Sequence, residues 1–145
     1  MGTEENLKVI DEELHALNAY DFDRALESHA ESVLTFGPGN NEPTKGRTAL
    51  RNSLQDYLTA FPDFRVKMER AFGQGDWVCG QYVFEGTHKG PLLGPGGQMI
   101  PATNRSLRLK YVVLFKFQGG LITERHEFFD NYGLMTQLGQ SPATK

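Results

Sequence analysis

A single cysteine among 145 residues, Cys79, rules out an intrachain disulfide and a cysteine-based metal cluster. Set between Trp77 and Val83 in a β-prone stretch, it reads as a small buried hydrophobe. Basic charge is also scarce. Fifteen Lys and Arg stand against 18 Asp and Glu for a net charge of −3, so the chain has no field for gathering phosphates and nucleic acid is not an expected partner. Apolar runs of membrane-spanning length are absent, and the acidic start MGTEENLKVIDEEL is not a secretory signal, so no membrane partner and a cytoplasmic location are expected. Neither repeats nor low-complexity tracts occur, and residues 1–145 are expected to form one domain. With 39% hydrophobic and 23% charged residues, the chain can bury a core.

Leu7, Ile10, Leu14 and Leu17 recur at helical spacing among acids, which predicts an amphipathic first helix with Thr3 as cap. Asp21 or Asp23 can cap a second, short helix through Leu26 to about His29; His15 and His29 are expected on helix surfaces. Ser32 to Phe36 is β-prone, and the Gly- and Pro-rich residues after it form a loop. Gly46 to Phe61 reads as a third helix ended by Pro62. From Phe64 the period becomes two. Strands are expected at Phe64 to Met68, Trp77 to His88, Leu107 to Phe117 and Leu121 to Phe129, with a hairpin turn at Gly119-Gly120. The Gly- and Pro-rich loop from Lys89 to Asn104, including Gly94 to Gly97, is long enough to serve as a lid or a dimer contact. Helices followed by a meander argue for an α+β fold, with N-terminal helices packed on a strongly curved, mainly antiparallel sheet that forms a cone-shaped pocket.

The densest chemistry lies in LITERHEFFDNYGLMTQLG, Leu121 to Gly139, where Glu124, Arg125, His126, Glu127 and Asp130 are interleaved with Ile122, Phe128 and Phe129. A carboxylate and an imidazole inside an apolar cavity are the components of general acid/base catalysis. Strand alternation puts Arg125, Glu127 and Phe129 on one face and His126, Phe128 and Asp130 on the other, without saying which face is inside. Asp130 can also cap a terminal helical turn from Tyr132 to Leu138. His88 ends a strand beside Gly90 and Pro91, where it can reach over a cavity. Trp77, Tyr111 and the other strand aromatics can line an apolar pocket or simply fill a core. No two of the four histidines are spaced i, i+4, so a metal is not expected.

The segment FPDF at Phe61 to Phe64, GTHKGPLLG at Gly86 to Gly94 and HEFFDNYGLMTQLG at His126 to Gly139, together with the element order, resemble the SnoaL-like polyketide cyclases of the nuclear transport factor 2-like superfamily. That resemblance implies the cone fold and no cofactor. It also implies an acid/base residue on the last strand, where the family's usual Asp falls on Glu127. A histidine that the cyclases carry on the preceding strand falls on Val113. The resulting expectation is a cofactor-independent enzyme of polyketide cyclase or isomerase type. Glu127, His126 and Asp130 are its catalytic candidates, and Arg125, His88, Trp77, Tyr111 and Phe129 are its substrate-binding candidates. The ligand would be small and apolar or polycyclic, bearing a carbonyl. The alternative, motivated by Val113, is a non-catalytic binding or interaction module of the same fold. Proteins of this fold are commonly dimers through the sheet, so a homodimer is expected.

Overall fold

A computed structural model describes residues 2–38, 41–94 and 97–140 of the chain; Pro95 and Gly96, at the centre of the expected lid, lie outside the described residues. Helix α1 spans Thr3–Asn18. Thr3 is its first helical residue rather than its cap; the N–H of Gly2 donates to Glu5 Oε1 at 2.8 Å instead. After Tyr20, which adopts φ 60° in the turn, α2 covers Phe22–Leu26 and is capped by Asp21, whose carboxylate accepts from the Arg24 N–H at 3.2 Å. Strand β1 is His29–Phe36, β2 Thr44–Lys45 and α3 Arg47–Ala60. Then follow β3 Arg65–Gln74, β4 Trp77–Thr87, the short pair β5 Leu92–Leu93 and β6 Met99–Ile100, β7 Ser106–Gln118, β8 Leu121–Phe129 and α4 Asn131–Gln137.

Six strands form one sheet in the order β2-β1-β8-β7-β4-β3. Within it β3, β4, β7 and β8 are an antiparallel meander, as expected, with β5 and β6 paired in a small sheet of their own, and Gly119 and Gly120 at φ 59° and 81° close the last hairpin. The first strand departs from the meander: β1 lies parallel to β8, pairing His29 with Ile122 and Phe36 with His126. Parallel pairing needs a long crossover, and here the whole chain between β1 and β8 supplies it.

The helices cover one face. Ile10, Phe22, Leu26 and Leu50 meet Val66, Val78, Val113, Phe115 and Phe117 from the sheet, all of them buried. Burial of each such side chain is worth about 1.5–3 kcal/mol. The end of α1 is fixed by polar bonds as well: Asn18 donates to Val66 O and accepts from Val66 N, both at 2.8 Å, and the Tyr20 hydroxyl donates to Phe64 O at 2.7 Å. These bonds set the height at which α1 crosses the concave face. At the far end, the amides of Lys89 and Gly90 donate to Ala60 O at 2.9 and 3.2 Å, closing the C-terminus of α3. The backbone approach there is so close that a Cβ on Gly90 would collide with the Thr59 carbonyl oxygen. Among the described residues, no helix is long and apolar enough to cross a membrane.

Candidate functional site

Strand β8 sorts its residues by parity. Arg125, Glu127 and Phe129 face the helices, while Phe128 on the opposite side is 54% exposed. The expectation of two faces holds, and the helices decide which one is inside.

Four ionisable side chains from three elements converge behind Phe129. Arg125 Nη1 donates to Glu13 Oε2 of α1 at 2.7 Å and to His29 Nε2 at the start of β1 at 3.0 Å. Arg125 Nε donates to Glu127 Oε2 at 3.3 Å. The guanidinium also lies 5.1 Å above the Phe115 ring, which covers its face. A guanidinium can only donate, so Nε2 of His29 accepts, and the network assigns the ring proton to Nδ1, beside Ser28 Oγ at 3.1 Å. Among the described residues Arg125 Nη2 makes no hydrogen bond, and Arg125 lines the cavity.

Burial drives the electrostatics. It lowers the His29 imidazole to about 2, with Arg125 and Arg47 adding to the effect, so the ring is neutral. It lifts the Glu13 carboxyl above its ordinary value against the pull of Arg125. For Arg125 burial opposes the charge, but Glu13 and Glu127 outweigh it and hold the guanidinium protonated. Tyr57 of α3 is pushed up to about 12 by desolvation and by Glu127, and Tyr111 of β7 lies well above the ordinary phenol range for the same first reason. Both phenols are therefore hydrogen-bond donors at neutral pH.

The space in front of this cluster has two adjoining chambers. The inner one, about 100 Å³, is lined mainly by apolar side chains such as Leu54, Phe61, Phe84 and Leu109, with Tyr57, Tyr111, Arg125 and Glu127 as its polar groups. The outer one, about 530 Å³, adds Thr35, Ser53, Asp56 and Asn131. Tyr57, Leu54, Leu92, Glu127, Phe129 and Leu134 belong to both walls. Glu127 thus stands at the junction, and its Oε1 makes no hydrogen bond among the described residues. Such a carboxylate can take a proton from a ligand that reaches inward, with Arg125 and the phenols able to bind the negative charge left behind.

Of the residues singled out from sequence, Glu127, Arg125, Tyr111 and Phe129 come together here. The others do not. His126 is on the convex face, stacked on Phe36 with centroids 4.3 Å apart and bonded to Glu124 at 2.9 Å, because its parity opposes that of Glu127. Trp77 joins it there, 5.8 Å from the His126 ring. Asp130 caps α4, accepting from the Gly133 N–H at 2.9 Å, and is held outside the cavity. His88 is fully buried behind Phe61, with Nδ1 2.9 Å from Thr103 Oγ1; burial lowers its pKa. His29 is a correction of another kind. It was expected on a helix surface, yet it is 0% exposed, because α2 stops at Leu26 and β1 begins at His29 beside β8.

Glu13 and Tyr57 were missed. For Glu13 a signal was available: Asn6, Ile10, Glu13 and Leu17 follow one another at four, three and four residues, so Glu13 interrupts the apolar stripe of α1. Asn6 is likewise buried. A charge inside such a stripe must find a partner or neutralise.

The sequence over residues 8–138 matches the family model described as SnoaL-like polyketide cyclase. Among solved structures, a protein from Jannaschia sp. CCS1 provisionally assigned as a SnoaL-like polyketide cyclase is similar with TM-score 0.85 at 20% identity, covering 97% of this chain and 95% of the other. AclR from Streptomyces galilaeus, provisionally a hydroxylase, is similar with TM-score 0.83 at 18% identity, covering 97% and 100%. IdmH from Streptomyces antibioticus, provisionally a polyketide cyclase, is similar with TM-score 0.76 at 23% identity, covering 92% and 98%. At these identities the likeness shows a shared fold. No curated protein matches the sequence.

Proposed function

Since the chain belongs to the SnoaL-like polyketide cyclase family, we propose that it is a cofactor-independent cyclase or isomerase acting on a small, largely apolar carbonyl compound. Glu127 is the general base. The observation that carries this reading is a carboxylate with an unengaged oxygen at the junction of two chambers, beside a fixed guanidinium and two protonated phenols. A substrate carbonyl reaching the inner chamber would present its α-hydrogen to Glu127 Oε1. Proton removal places negative charge on the carbonyl oxygen, and Arg125 Nη2 or the Tyr57 or Tyr111 hydroxyl stabilises it. The proton held on Glu127 then returns to another carbon in an isomerisation, or to the new alkoxide oxygen in an intramolecular aldol closure.

The inner chamber alone is below the usual ligand-pocket range of about 300–1,000 Å³, so the substrate occupies both chambers and enters with its reactive end first. The position where the cyclases carry a histidine is held by Val113, buried and paired in register with Glu127, so the oxyanion donors here are Arg125 and the phenols. The test is exchange of α-hydrogens for deuterium in a panel of cyclic and polycyclic ketones, followed by mass spectrometry. Glu127→Gln should slow exchange by more than about a hundredfold with the fold intact. Equal rates in parent and variant would remove Glu127 from the chemistry.

A second reading concerns assembly and rests on a separate observation. The convex face of the sheet exposes Phe72 at 62%, Phe128 at 54% and Trp77 at 38%, and registers Phe72 with Cys79, Leu114 and His126 across four strands. An apolar face of this kind suits a second copy of the chain, giving a homodimer through the sheet. Phe128→Glu should then convert a dimer to a monomer in sedimentation; a parent that sediments as a monomer at micromolar concentration overturns this part.

A further inference from the structure

We propose that Glu13 is a positioning residue for Glu127: by holding Arg125 Nη1 on a short bond, it fixes the guanidinium so that Glu127 meets Nε at a long distance and Nη2 is left without a bond among the described residues. The inference rests on the reading of Glu127 as base and goes beyond it, since it assigns a role to a residue of the first helix that lines neither chamber.

The geometry is unequal in a telling way. One guanidinium serves two carboxylates, at 2.7 Å to Glu13 and 3.3 Å to Glu127. An Arg paired with a single carboxylate usually presents two parallel N–H groups to it, and a carboxylate held so is a poor base. Glu13 and His29 together occupy Nη1, which fixes the plane of the guanidinium and leaves Nε and Nη2 on the Glu127 side, where only Nε makes a bond among the described residues. The arrangement is built into the fold rather than adopted locally. Asn18 and Tyr20 pin the end of α1 to β3 and to Phe64, Glu13 lies inward on the same helix, and the parallel pairing of β1 with β8 brings His29 up from the other side. The side chains of Glu13 and Arg125 are both 11% exposed and that of His29 0%, against 24% for Glu127. The positioning pair is thus deeper than the group it positions.

The other groups that face the cluster are Tyr57 and Arg47 from α3, Tyr82 from β4 and Tyr111 from β7. Both tyrosines of the sheet stay protonated near neutral pH, because burial raises each phenol.

The sign of the effect separates positioning from mere support. If Glu13 draws Arg125 away from Glu127, Glu13→Gln returns the cation to Glu127 and removes a neighbouring negative charge. Both changes favour the ionised base. If Glu13 only supports the structure, its loss releases Arg125 and Glu127 loses its cation, which disfavours ionisation.

The experiment follows the carboxyl carbon of Glu127 by NMR in protein labelled with ¹³C-glutamate, assigned by the signal missing in Glu127→Gln. Between parent and Glu13→Gln the titration of that signal should move to lower pH, by about one unit, a tenfold loss of proton affinity. Glu13→Asp, which keeps the charge, should move it less. An unchanged titration, or one displaced to higher pH, overturns the proposal. If Glu13→Gln fails to fold, the parent labelled with ¹⁵N-arginine supplies the answer: Arg125 should show separate Nη1 and Nη2 signals at neutral pH, and a single averaged signal overturns the proposal. Because the readout is a titration and not a rate, it stands apart from the assignment of the base. Activity surviving in Glu127→Gln would sink that assignment and leave the Glu13 result intact.

Discussion

The two faces of β8 carry nearly the same residue types and do different things with them. On the concave face an arginine, two glutamates and a histidine are packed under α1; on the convex face a lysine, a glutamate and a histidine lie between Phe36 and Trp77. The concave bonds are shorter where the charge is deepest, 2.7 Å for Arg125 to Glu13 against 3.8 Å for Lys116 to Glu124. On the convex side Lys116 is 31% and Glu124 28% exposed, so solvent screens the pair. Charge on the one strand is therefore buried and tightly paired on one side and half-exposed on the other. What differs is water, and water is excluded by the helices.

The comparison breaks most sharply on stability. Arg125→Met leaves Glu13 buried without its cation and should cost about 3–5 kcal/mol, whereas Lys116→Met should cost about 1 kcal/mol or less; urea unfolding of both variants measures the contrast. Equal costs would mean that the concave cluster is wetter than its burial implies.

A smaller effect belongs to His29 of the concave face. The folded pKa of His29 is depressed from 6.5 to about 2, so its stabilising contribution is present above pH 6.5 and is lost as pH falls toward 2. The limiting slope is about 1.4 kcal/mol per pH unit. Glu13 acts in the opposite sense: its raised carboxyl favours the fold where it is protonated, and that contribution fades as pH rises above 4.5. His29→Gln keeps an acceptor for Arg125 and should flatten the fall in stability between pH 6.5 and 5, measured by urea unfolding across that range. A slope untouched by His29→Gln would show that the imidazole is charged in the fold.

Much of this arrangement was legible in the sequence. The limits of β8, Leu121 to Phe129, are those its period of two and the Gly119-Gly120 turn predict, and the Asp130 cap follows from the residue type before a helical turn. Arg125, Glu127 and Phe129 share a face because alternate residues must. These are local rules, satisfied within a few residues. Where the reading failed, the cause was distance: His29 and Arg125 are far apart in sequence, and only the parallel pairing of β1 with β8 makes them neighbours. The register of β1 shifts between His29 and Leu34, which also breaks the alternation by which His29 would read as inward.

The sequence by itself determined the helices, the long strands and the two faces of β8, because periodicity, capping and turn chemistry act over one or two turns of chain. The tertiary structure alone decided which face is dry, that His126 and Trp77 belong to the wet one, and that one arginine is shared between Glu13 and Glu127. Those outcomes depend on which element covers which, and burial sets the strength of every charge in the cluster.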